Sequence, residues 1–317
     1  MKYAFSIVTL LLLIGYVGYK EYQPKKANEV TAASDEPMGI PTEEIKQLAS
    51  TSVSLPEKLS FAGEEVPLDI IDVRERLDRE IHINTYWHNN SIFIIKRANR
   101  WLPQIEKILA ENGIPDDFKY LTVIESGLLN VVSPKQAVGF WQFLKPTARE
   151  WGLEVTKEVD ERYHPLKSTE AACKYLKRAH AQLGSWTLAA ASYNRGMQGI
   201  QNRLNEQKVT SYYDLLLTEE TSRYVFRILA CKELLESPAK YGFNIPAEHL
   251  YQPEELVEIS VDRSIDDLVS FSQQQGINYK ILKKHNPWLR KPKLTVKSGR
   301  SYVLAIPRKQ SATSLGE

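Results

Sequence analysis

The sequence predicts a mainly α-helical protein, in which a large helical domain is followed by a small α+β module. Between residues 64 and 240, segments with apolar residues at helical spacing follow one another, and several end at a glycine. Beyond residue 256 the pattern changes to strand, helix, helix, strand. The hydrophobic content of 43% and the charged content of 25% are typical of a globular chain, and 317 residues suffice for one or two ordinary domains.

The N-terminal segment predicts export. Lys2 is followed by an uncharged apolar run over residues 3–19, which is typical of a signal peptide or a signal anchor. No small-x-small cleavage motif directly follows the run, so an uncleaved anchor in residues 1–19 is favoured over a removed peptide. Residues 20–63 are polar, contain Pro and Ala and show little periodicity, so they are predicted to be a linker. We therefore expect the chain in the periplasm or cell envelope.

Start and stop signals define the helices of the domain at 64–240. The motif "GIPDDF" (113–118) suits a helix start, because proline pre-sets φ and the acids face the helix dipole. A later helix is predicted to begin with Ser168 or Thr169 as its N-cap and to stop at Gly184. The next stops at Gly196, and a long helix with "TSRYVFRILACKELLE" follows.

The two cysteines of the chain, Cys173 and Cys231, both lie in helical patterns. Export would allow a disulfide between them, but a small buried thiol is the favoured interpretation at such positions.

The stretch "YLTVIESGL" (120–128) places a carboxylate among core positions. At helical spacing, Phe118, Leu121, Glu125 and Leu128 fall roughly on one stripe. A glutamate flanked by apolar groups loses hydration of its charged form, and its pKa rises. Glu125 is therefore expected to keep a proton near neutral pH and to be able to donate it as a general acid.

Several other chemistries find no support in the sequence. The six histidines are scattered, and His82 and His88 lack ligand spacing, so no metal site is expected. The chain has neither a glycine-rich phosphate loop after a strand nor a G-x-S-x-G motif, and no cofactor is expected. The net charge of +2 gives no indication of a nucleic-acid partner.

Three further motifs supply amide or aromatic side chains. Gln142 follows Trp141 in "GFWQF", Tyr193 and Asn194 end the helix of "ASYNRG", and Tyr224 lies in "ETSRYV". Sugar sites need this combination, because pyranose rings stack on aromatic faces and their hydroxyl and acetamido groups take directed hydrogen bonds. Taken singly, each residue has a structural alternative: the aromatic rings could belong to the core, Asn194 could end a helix, and Gln142 could cap a turn.

Taken in order, the four motifs "ES", "GFWQF", "ASYNRG" and "ETSRYV" resemble those of the Slt-type lytic transglycosylases. The runs "LPQIEKILAENGIPDDFKYL" and "VDERYHPLKSTEAACKYL" fit the same family, and the resemblance covers residues 64–240. It implies a lysozyme-like helical fold and action on peptidoglycan glycan strands. The family forms 1,6-anhydromuramoyl ends without water at the bond between N-acetylmuramic acid and N-acetylglucosamine.

The resemblance also implies a role for each motif residue. One glutamate, here Glu125, protonates the leaving oxygen and then removes the proton of the muramoyl C6 hydroxyl. The motifs offer no second carboxylate, since Glu220 is interpreted as a helix N-terminal residue and residues 160–162 as a structural ion-pair cluster. The substrate-binding residues implied are Ser126 beside the acid, Gln142 near the cleaved bond, Tyr193 and Asn194 at a sugar, and Tyr224 orienting the glutamate.

The C-terminal module at 256–309 resembles a LysM domain. "HNPWL" and "YVLAIP" match its usual endings, whereas "DRSID" replaces the usual Gly-Asp-Thr-Leu turn and "RKPKLTVKSG" is longer than usual. Between Asp267 and Glu317 the sequence contains ten basic and no acidic residues. Such a stretch is either a solvated face or a contact for an anionic polymer, such as a cell wall with peptide carboxylates.

Three functional classes follow from the sequence: a lytic transglycosylase, a lysozyme-like hydrolase, and a non-catalytic wall-binding scaffold. The intact Glu125, Gln142 and Asn194 count against a scaffold, and the missing second carboxylate counts against a hydrolase. The expected partners are peptidoglycan strands and, through residues 3–19, a membrane. The chain is expected to act as a monomer.

Overall fold

Ten α-helices and four short strands make up residues 52–308, which are the residues that the computed structural model describes. The predicted export segment at 1–19 lies outside them. No helix within residues 52–308 has both the length and the apolar character needed to cross a membrane. The strands are β1 (Ser60–Phe61), β2 (Glu64–Glu65), β3 (Leu256–Val261) and β4 (Tyr302–Pro307).

The helices follow the predicted order, and five short 3₁₀ segments lie between them. They are α1 (Ile71–Tyr86), α2 (His88–Glu111), α3 (Lys119–Ser126), α4 (Lys145–Glu150), α5 (Pro165–Leu183), α6 (Trp186–Arg195), α7 (Met197–Gln207), α8 (Glu219–Glu236), α9 (Leu268–Gln274) and α10 (Tyr279–His285). The prediction of a mainly helical chain with a small α+β end is confirmed.

Helix α5 begins three residues before the predicted cap. Pro165 occupies its first turn, where the missing N–H of proline has no cost, and the ring of His164 accepts the N–H of Lys167 as the cap. Ser168 and Thr169 are instead fully buried inside the helix, where their hydroxyls bond back to carbonyls such as that of Pro165. The prediction that one of them caps the helix is therefore wrong.

The larger core includes residues from the end of the stretch that the sequence predicts to be a linker. Leu59 and Phe61 are buried, and the ring of Phe61 meets that of Phe118 edge-on at 5.1 Å between centroids. β1 and β2 form a small antiparallel hairpin here. Leu59 and Phe61 are flanked mainly by polar residues, so they form no periodic apolar pattern in the sequence.

Helix α8 is the centre of the larger core and packs against α1, α3 and α6. Its inner face is apolar and buried, with Val225, Phe226 and Ile228 fully covered. The short helix α3 lies between α8 and α2, and ends at Gly127, which has a left-handed φ of 60°. This end fixes where the side chains of the last turn of α3 point.

Cys173 in α5 and Cys231 in α8 are both free thiols buried in the larger core. Burial raises the pKa of each thiol to about 12. Both therefore stay protonated and serve as small apolar groups.

The C-terminal strands close a second, smaller core. β3 and β4 pair antiparallel from Leu256 opposite Pro307 to Val261 opposite Tyr302, and α9 and α10 lie between them in sequence. Its fully buried leucines include Leu268, Leu282 and Leu304. Val159, from the segment before α5, is also buried in this core. The two cores therefore meet along residues 154–164.

Backbone bonds join this segment to the loop before β4. Asp160 donates its N–H to the carbonyl of Trp288 at 2.9 Å, and Arg290 donates its N–H to the carbonyl of Glu158 at 2.7 Å. The Trp288 ring also stacks on that of His164. The contact between the two cores therefore combines apolar burial with backbone hydrogen bonds that fix its register.

Four basic residues of the module are paired with carboxylates of the same chain. Glu154 and Glu158 belong to the segment 154–164, and Glu254 and Glu255 to the stretch before β3. The ion pairs are Lys284–Glu254 at 2.7 Å, Lys293–Glu158 at 3.3 Å, Arg300–Glu154 at 3.6 Å and Arg308–Glu255 at 3.6 Å. Four of the C-terminal positive charges are thus balanced by carboxylates of the same chain.

Candidate active site

Glu125 lies on the last turn of α3 and is half-buried between two cavities. One cavity, of about 740 Å³, runs from Glu125 to the junction of α1 and α2 and is called the Trp87 half. The other, of about 430 Å³, runs from Glu125 to the "GFWQF" turn and is called the Gln142 half. Glu220 also lines both halves. The two carboxylates therefore mark the middle of one groove.

The surroundings of Glu125 favour its protonated form. Burial is the largest cause and raises the pKa of the carboxyl, and the Glu220 carboxylate adds to this. The hydrogen bond from Tyr224 and the positive charge of Arg227 act in the opposite direction but do not overcome burial. A carboxylic acid with a raised pKa can donate a proton near neutral pH, which is what a general acid requires.

Tyr224 holds Glu125 in place from α8. The ring is buried, and its hydroxyl donates to Oε1 of Glu125. Burial, together with the nearby Glu125, keeps the pKa of this phenol well above its usual range, so Tyr224 stays a donor. Oε2 of Glu125 has no hydrogen-bond partner within residues 52–308 and is left for a ligand.

Gln142 has an unusual backbone. Its φ of 47° lies in the left-handed region, which costs a side-chain-bearing residue about 1–2 kcal/mol. Its Nε2 atom donates to the carbonyls of Gly139 at 2.8 Å and of Val131 at 3.2 Å. These carbonyls only accept, so they fix the orientation of the amide and leave its oxygen open toward the Gln142 half. Gln142 is therefore arranged to accept a hydrogen bond from a ligand.

Asn194 is held by the first turn of α8. Its Nδ2 donates to Glu220 Oε1 at 3.2 Å, and its Oδ1 accepts the Thr221 hydroxyl at 2.8 Å. Each atom keeps one further hydrogen-bonding position, because the amide nitrogen has two protons and the oxygen two lone pairs. The side chain is half-buried and lines the Gln142 half.

Two of the expected substrate-binding residues make mainly internal contacts. The Tyr193 hydroxyl donates to the Trp141 carbonyl at 2.8 Å, and its ring packs against those of Trp141 and Phe143. The Ser126 hydroxyl donates to the carbonyls of Thr122 at 2.9 Å and Phe140 at 3.1 Å, so it ties α3 to the same turn. Both residues line the groove, but on different sides of Glu125: Ser126 in the Trp87 half and Tyr193 in the Gln142 half.

Sequence reasoning missed the position of Glu220. It lies in the first turn of α8, as expected, but it also contacts Asn194 and raises the pKa of Glu125. The motif "ETSRYV" carried the signal, since Glu220 and Tyr224 are four residues apart and share a helix face.

Arg162 stabilises the "GFWQF" turn through hydrogen bonds. The guanidinium forms a two-pronged pair with Asp160 and donates to the carbonyls of Gln136 at 3.1 Å and Phe143 at 3.2 Å. A Cβ on Gly139 would lie 1.9 Å from the Arg162 carbonyl oxygen, so only glycine fits this position. The ion-pair cluster predicted at 160–162 therefore supports the loop that carries Gln142.

No group of histidine, cysteine and acidic side chains within residues 52–308 is arranged to hold a metal ion. The groove thus offers an acid, amides and aromatic rings.

Two known protein families match parts of this chain. Residues 104–215 match the family described as the transglycosylase SLT domain. The chain carries an SLT domain. Within it lie Glu125, Ser126, Gln142, Tyr193 and Asn194, whereas Tyr224 lies beyond its end. Residues 257–310 match the family described as the soluble lytic transglycosylase C-terminal LysM-like domain. The resemblances found in the sequence are confirmed.

Two curated relatives extend the similarity beyond this SLT domain. Both are named membrane-bound lytic murein transglycosylase D, from Escherichia coli strain K12 and Escherichia coli O6:H1. Each is 26% identical over 261 residues, which is 80% of this chain and 56% of the relative. The chain thus spans little more than half the length of these relatives.

Proposed function

We propose that the chain is a lytic transglycosylase of peptidoglycan, with Glu125 as acid and then base. The observation that carries this proposal is the half-buried Glu125, whose pKa is raised by burial and which Tyr224 holds in the middle of a groove that is open on both sides. A glycan strand has to extend on both sides of the bond that is cut. The SLT domain and the similarity to lytic murein transglycosylase D support the same reaction.

In the proposed reaction, the Glu125 proton passes to the glycosidic oxygen between N-acetylmuramic acid and N-acetylglucosamine as the bond from that oxygen to C1 breaks. The resulting carboxylate then takes the proton of the muramoyl C6 hydroxyl. The O6 atom bonds C1 and closes a 1,6-anhydro ring. Glu125 ends protonated, and no water is consumed. Gln142 and Asn194 would hold the sugar beside the bond through their free amide positions.

A second candidate, a lysozyme-like hydrolase, is favoured by one observation: Glu220 lines both halves of the groove. In an inverting or retaining glycosidase a second carboxylate activates water or attacks the sugar. Glu220 is exposed and accepts a hydrogen bond from Asn194. Its removal separates the two reactions, since transglycosylation does not need it as a nucleophile or as a base for water.

Digestion of purified sacculi, followed by mass spectrometry of the products, tests the proposal. A transglycosylase gives anhydro products that are one water lighter than those of a hydrolase. Glu125→Gln should lower the rate by at least about 10²–10⁴-fold, the range of general acid–base contributions. Glu220→Gln should keep the anhydro product. Hydrolysed ends would favour the hydrolase, and binding of sacculi without any cleavage by the wild-type chain would favour a non-catalytic scaffold.

We also propose that the chain works at the cell envelope as a monomer, anchored in the membrane through residues 3–19 if these are retained. The apolar run in the sequence and the membrane-bound relatives support this location. Membrane fractionation and the intact mass of the extracted protein test it. A soluble protein that lacks its first residues would show a cleaved signal instead, and light scattering on the purified chain would reveal a dimer.

A further inference from the structure

The Trp87 half contains an exposed indole that the proposed reaction does not use. All six tryptophans lie within the described residues, and Trp87 is the most exposed of them, at 62%. It occupies the junction between α1 and α2, at the far end of the cavity that begins at Glu125. An exposed tryptophan in a concave surface differs from isolated surface apolar residues, which need no explanation.

The backbone around Trp87 is firmly held. Its N–H donates to the carbonyl of Ile83 at 3.1 Å, and its own carbonyl accepts the N–H groups of Asn90 and Ser91, each at 3.1 Å. The Ser91 hydroxyl donates to the carbonyl of Asn84 at 2.6 Å, which links the two helices again. The indole is thus presented from a rigid helix corner rather than from a loose loop.

The arginine side chains of this half are held by hydrogen bonds within the protein. Arg223 pairs with Glu80 through bonds of 2.6 and 3.2 Å. Arg97 donates to the carbonyl of Gly127 at 2.6 Å, and Arg227 donates to that of Ile124 at 2.8 Å. The three arginines are thus fixed in place, and Arg223 is the one that pairs with carboxylates among residues 52–308.

Uncharged groups of this half also remain open to a ligand. The amide of Asn90 lines it and has no side-chain hydrogen-bond partner within residues 52–308, and Asn84 and Ile83 line it as well. An aromatic face beside a free amide fits a sugar ring, whose C–H face stacks while its hydroxyl and acetamido groups hydrogen-bond. A protein segment would be expected to meet a broader apolar surface.

We propose that Trp87 and Asn90 form a distal saccharide subsite for the glycan strand, on the side of Glu125 opposite to Gln142. The proposal rests on the proposed function for its substrate class. It adds a binding site outside residues 104–215, to which the SLT match is confined. With sugars bound on both sides of Glu125, the groove binds the interior of a strand, and it binds long strands more tightly than short fragments.

Binding can be measured without cleavage in the Glu125→Gln variant. The probe is peptide-free glycan strands of alternating N-acetylglucosamine and N-acetylmuramic acid, compared with the disaccharide. Long strands should shield an exposed indole from acrylamide quenching, and the disaccharide should shield it much less. Trp87→Ala should remove the shielded component of the fluorescence and weaken strand binding about tenfold, with Trp87→Phe intermediate because it keeps an aromatic face.

Phe93→Ala is the matched control, since Phe93 lies on α2, is 48% exposed and does not line the Trp87 half. It should bind strands like the parent, and both alanine variants should keep the parent melting temperature. Asn90→Ala should weaken strand binding without altering quenching in the free protein. An indole that long strands leave unshielded, or equal strand affinity of Trp87→Ala and its parent, would overturn the subsite.

The outcome is separable from that of the proposed function. If wild-type protein releases hydrolysed ends while strands still shield Trp87, the proposed reaction fails and the subsite stands. If anhydro products form but the Trp87→Ala rate falls equally for long and short substrates, the subsite fails and the reaction stands. In the expected case the loss of kcat/KM grows with strand length.

Discussion

At the scale of single residues, burial and the hydrogen bond from Tyr224 have opposite effects on the pKa of Glu125. Burial raises its pKa, while the Tyr224 hydroxyl stabilises the carboxylate by donating to it. The same bond orients the acid. The phenol therefore orients the carboxyl and also lowers the pH up to which the carboxyl keeps its proton.

Tyr224→Phe should move the basic limb of the pH–rate profile to higher pH. Loss of the donated bond removes a cause that lowers the pKa of Glu125, so the acid form persists further as pH rises. The maximal rate should fall, because the carboxyl is no longer held. Tyr193→Phe is the control, as its hydroxyl donates to the Trp141 carbonyl. A basic limb that stays in place, or moves to lower pH, would contradict the role of Tyr224.

The backbone of Gln142 permits a test that separates binding from stability. Gln142→Ala and Gln142→Gly both remove the amide and should lower activity equally, by about five- to tenfold for one directed hydrogen bond of about 1 kcal/mol. Only alanine keeps a Cβ at the left-handed φ of 47°.

Gln142→Gly should therefore be more stable than Gln142→Ala by about 1–2 kcal/mol in chemical denaturation. If activity follows stability across the pair, Gln142 serves the fold rather than the substrate.

At the scale of elements, two short segments build the groove. Helix α3 carries Glu125 and ends at Gly127, and the "GFWQF" turn carries Gln142. Ser126 joins them through the Phe140 carbonyl. Behind the turn, the carbonyl of Arg162 approaches Gly139 so closely that no side chain fits between them.

Gly139→Ala and Gly184→Ala form a matched pair. Their φ angles are 81° and 77°, so both substitutions meet the left-handed backbone cost of about 1–2 kcal/mol. A Cβ at Gly184 meets nothing within 4 Å, whereas at Gly139 it would lie 1.9 Å from the Arg162 carbonyl oxygen. Gly139→Ala should therefore lose about 1–3 kcal/mol more, and cleavage should fall as the turn shifts. Equal losses in thermal unfolding would show that the turn can move away freely.

The order of the helices and strands could be predicted from the sequence, because glycines, prolines and apolar spacing act locally. It also placed Glu125 correctly on the core-facing stripe of its helix, between buried Leu121 and Leu128. It could not show the left-handed backbone of Gln142 or the approach of Arg162 to Gly139. Those depend on which distant segments meet, and no local propensity encodes that.

Helix α5 illustrates the same difference. Ser168 and Thr169 have the residue types of caps, yet the Thr169 hydroxyl accepts the Trp141 indole N–H at 2.8 Å in the core. Tertiary packing outweighed the local preference.

At the scale of the whole molecule, the LysM-like module is joined to the SLT domain through residues 154–164. Val159 is buried in the core of the module, and the guanidinium of Arg162, three residues further along the chain, donates to the carbonyls of Gln136 and Phe143 in the loop that carries Gln142. The ion pairs of Glu154 and Glu158 are partly exposed, and such pairs contribute about 0–1 kcal/mol each. Apolar burial and backbone bonds therefore dominate this contact.

A chain that ends after Glu255 tests whether the module supports the groove as well as the wall contact. The larger core is intact without the module, so the shortened chain should fold. It would expose Val159 and lose the bonds to Trp288 and Arg290, so its melting temperature should be lower than that of the full chain. Because the segment that holds Arg162 loosens, cleavage of soluble glycans should also fall.

The full-length Glu154→Gln/Glu158→Gln variant is the control, since it weakens the charge pairs but keeps the apolar contact and should behave nearly as wild type. Retention on sacculi, measured at low and high salt for the same proteins, reports wall binding separately. The shortened chain could keep its melting temperature and its rate on soluble glycans while losing retention. In that case the module acts in targeting alone, and the contact at 154–164 does not brace the groove.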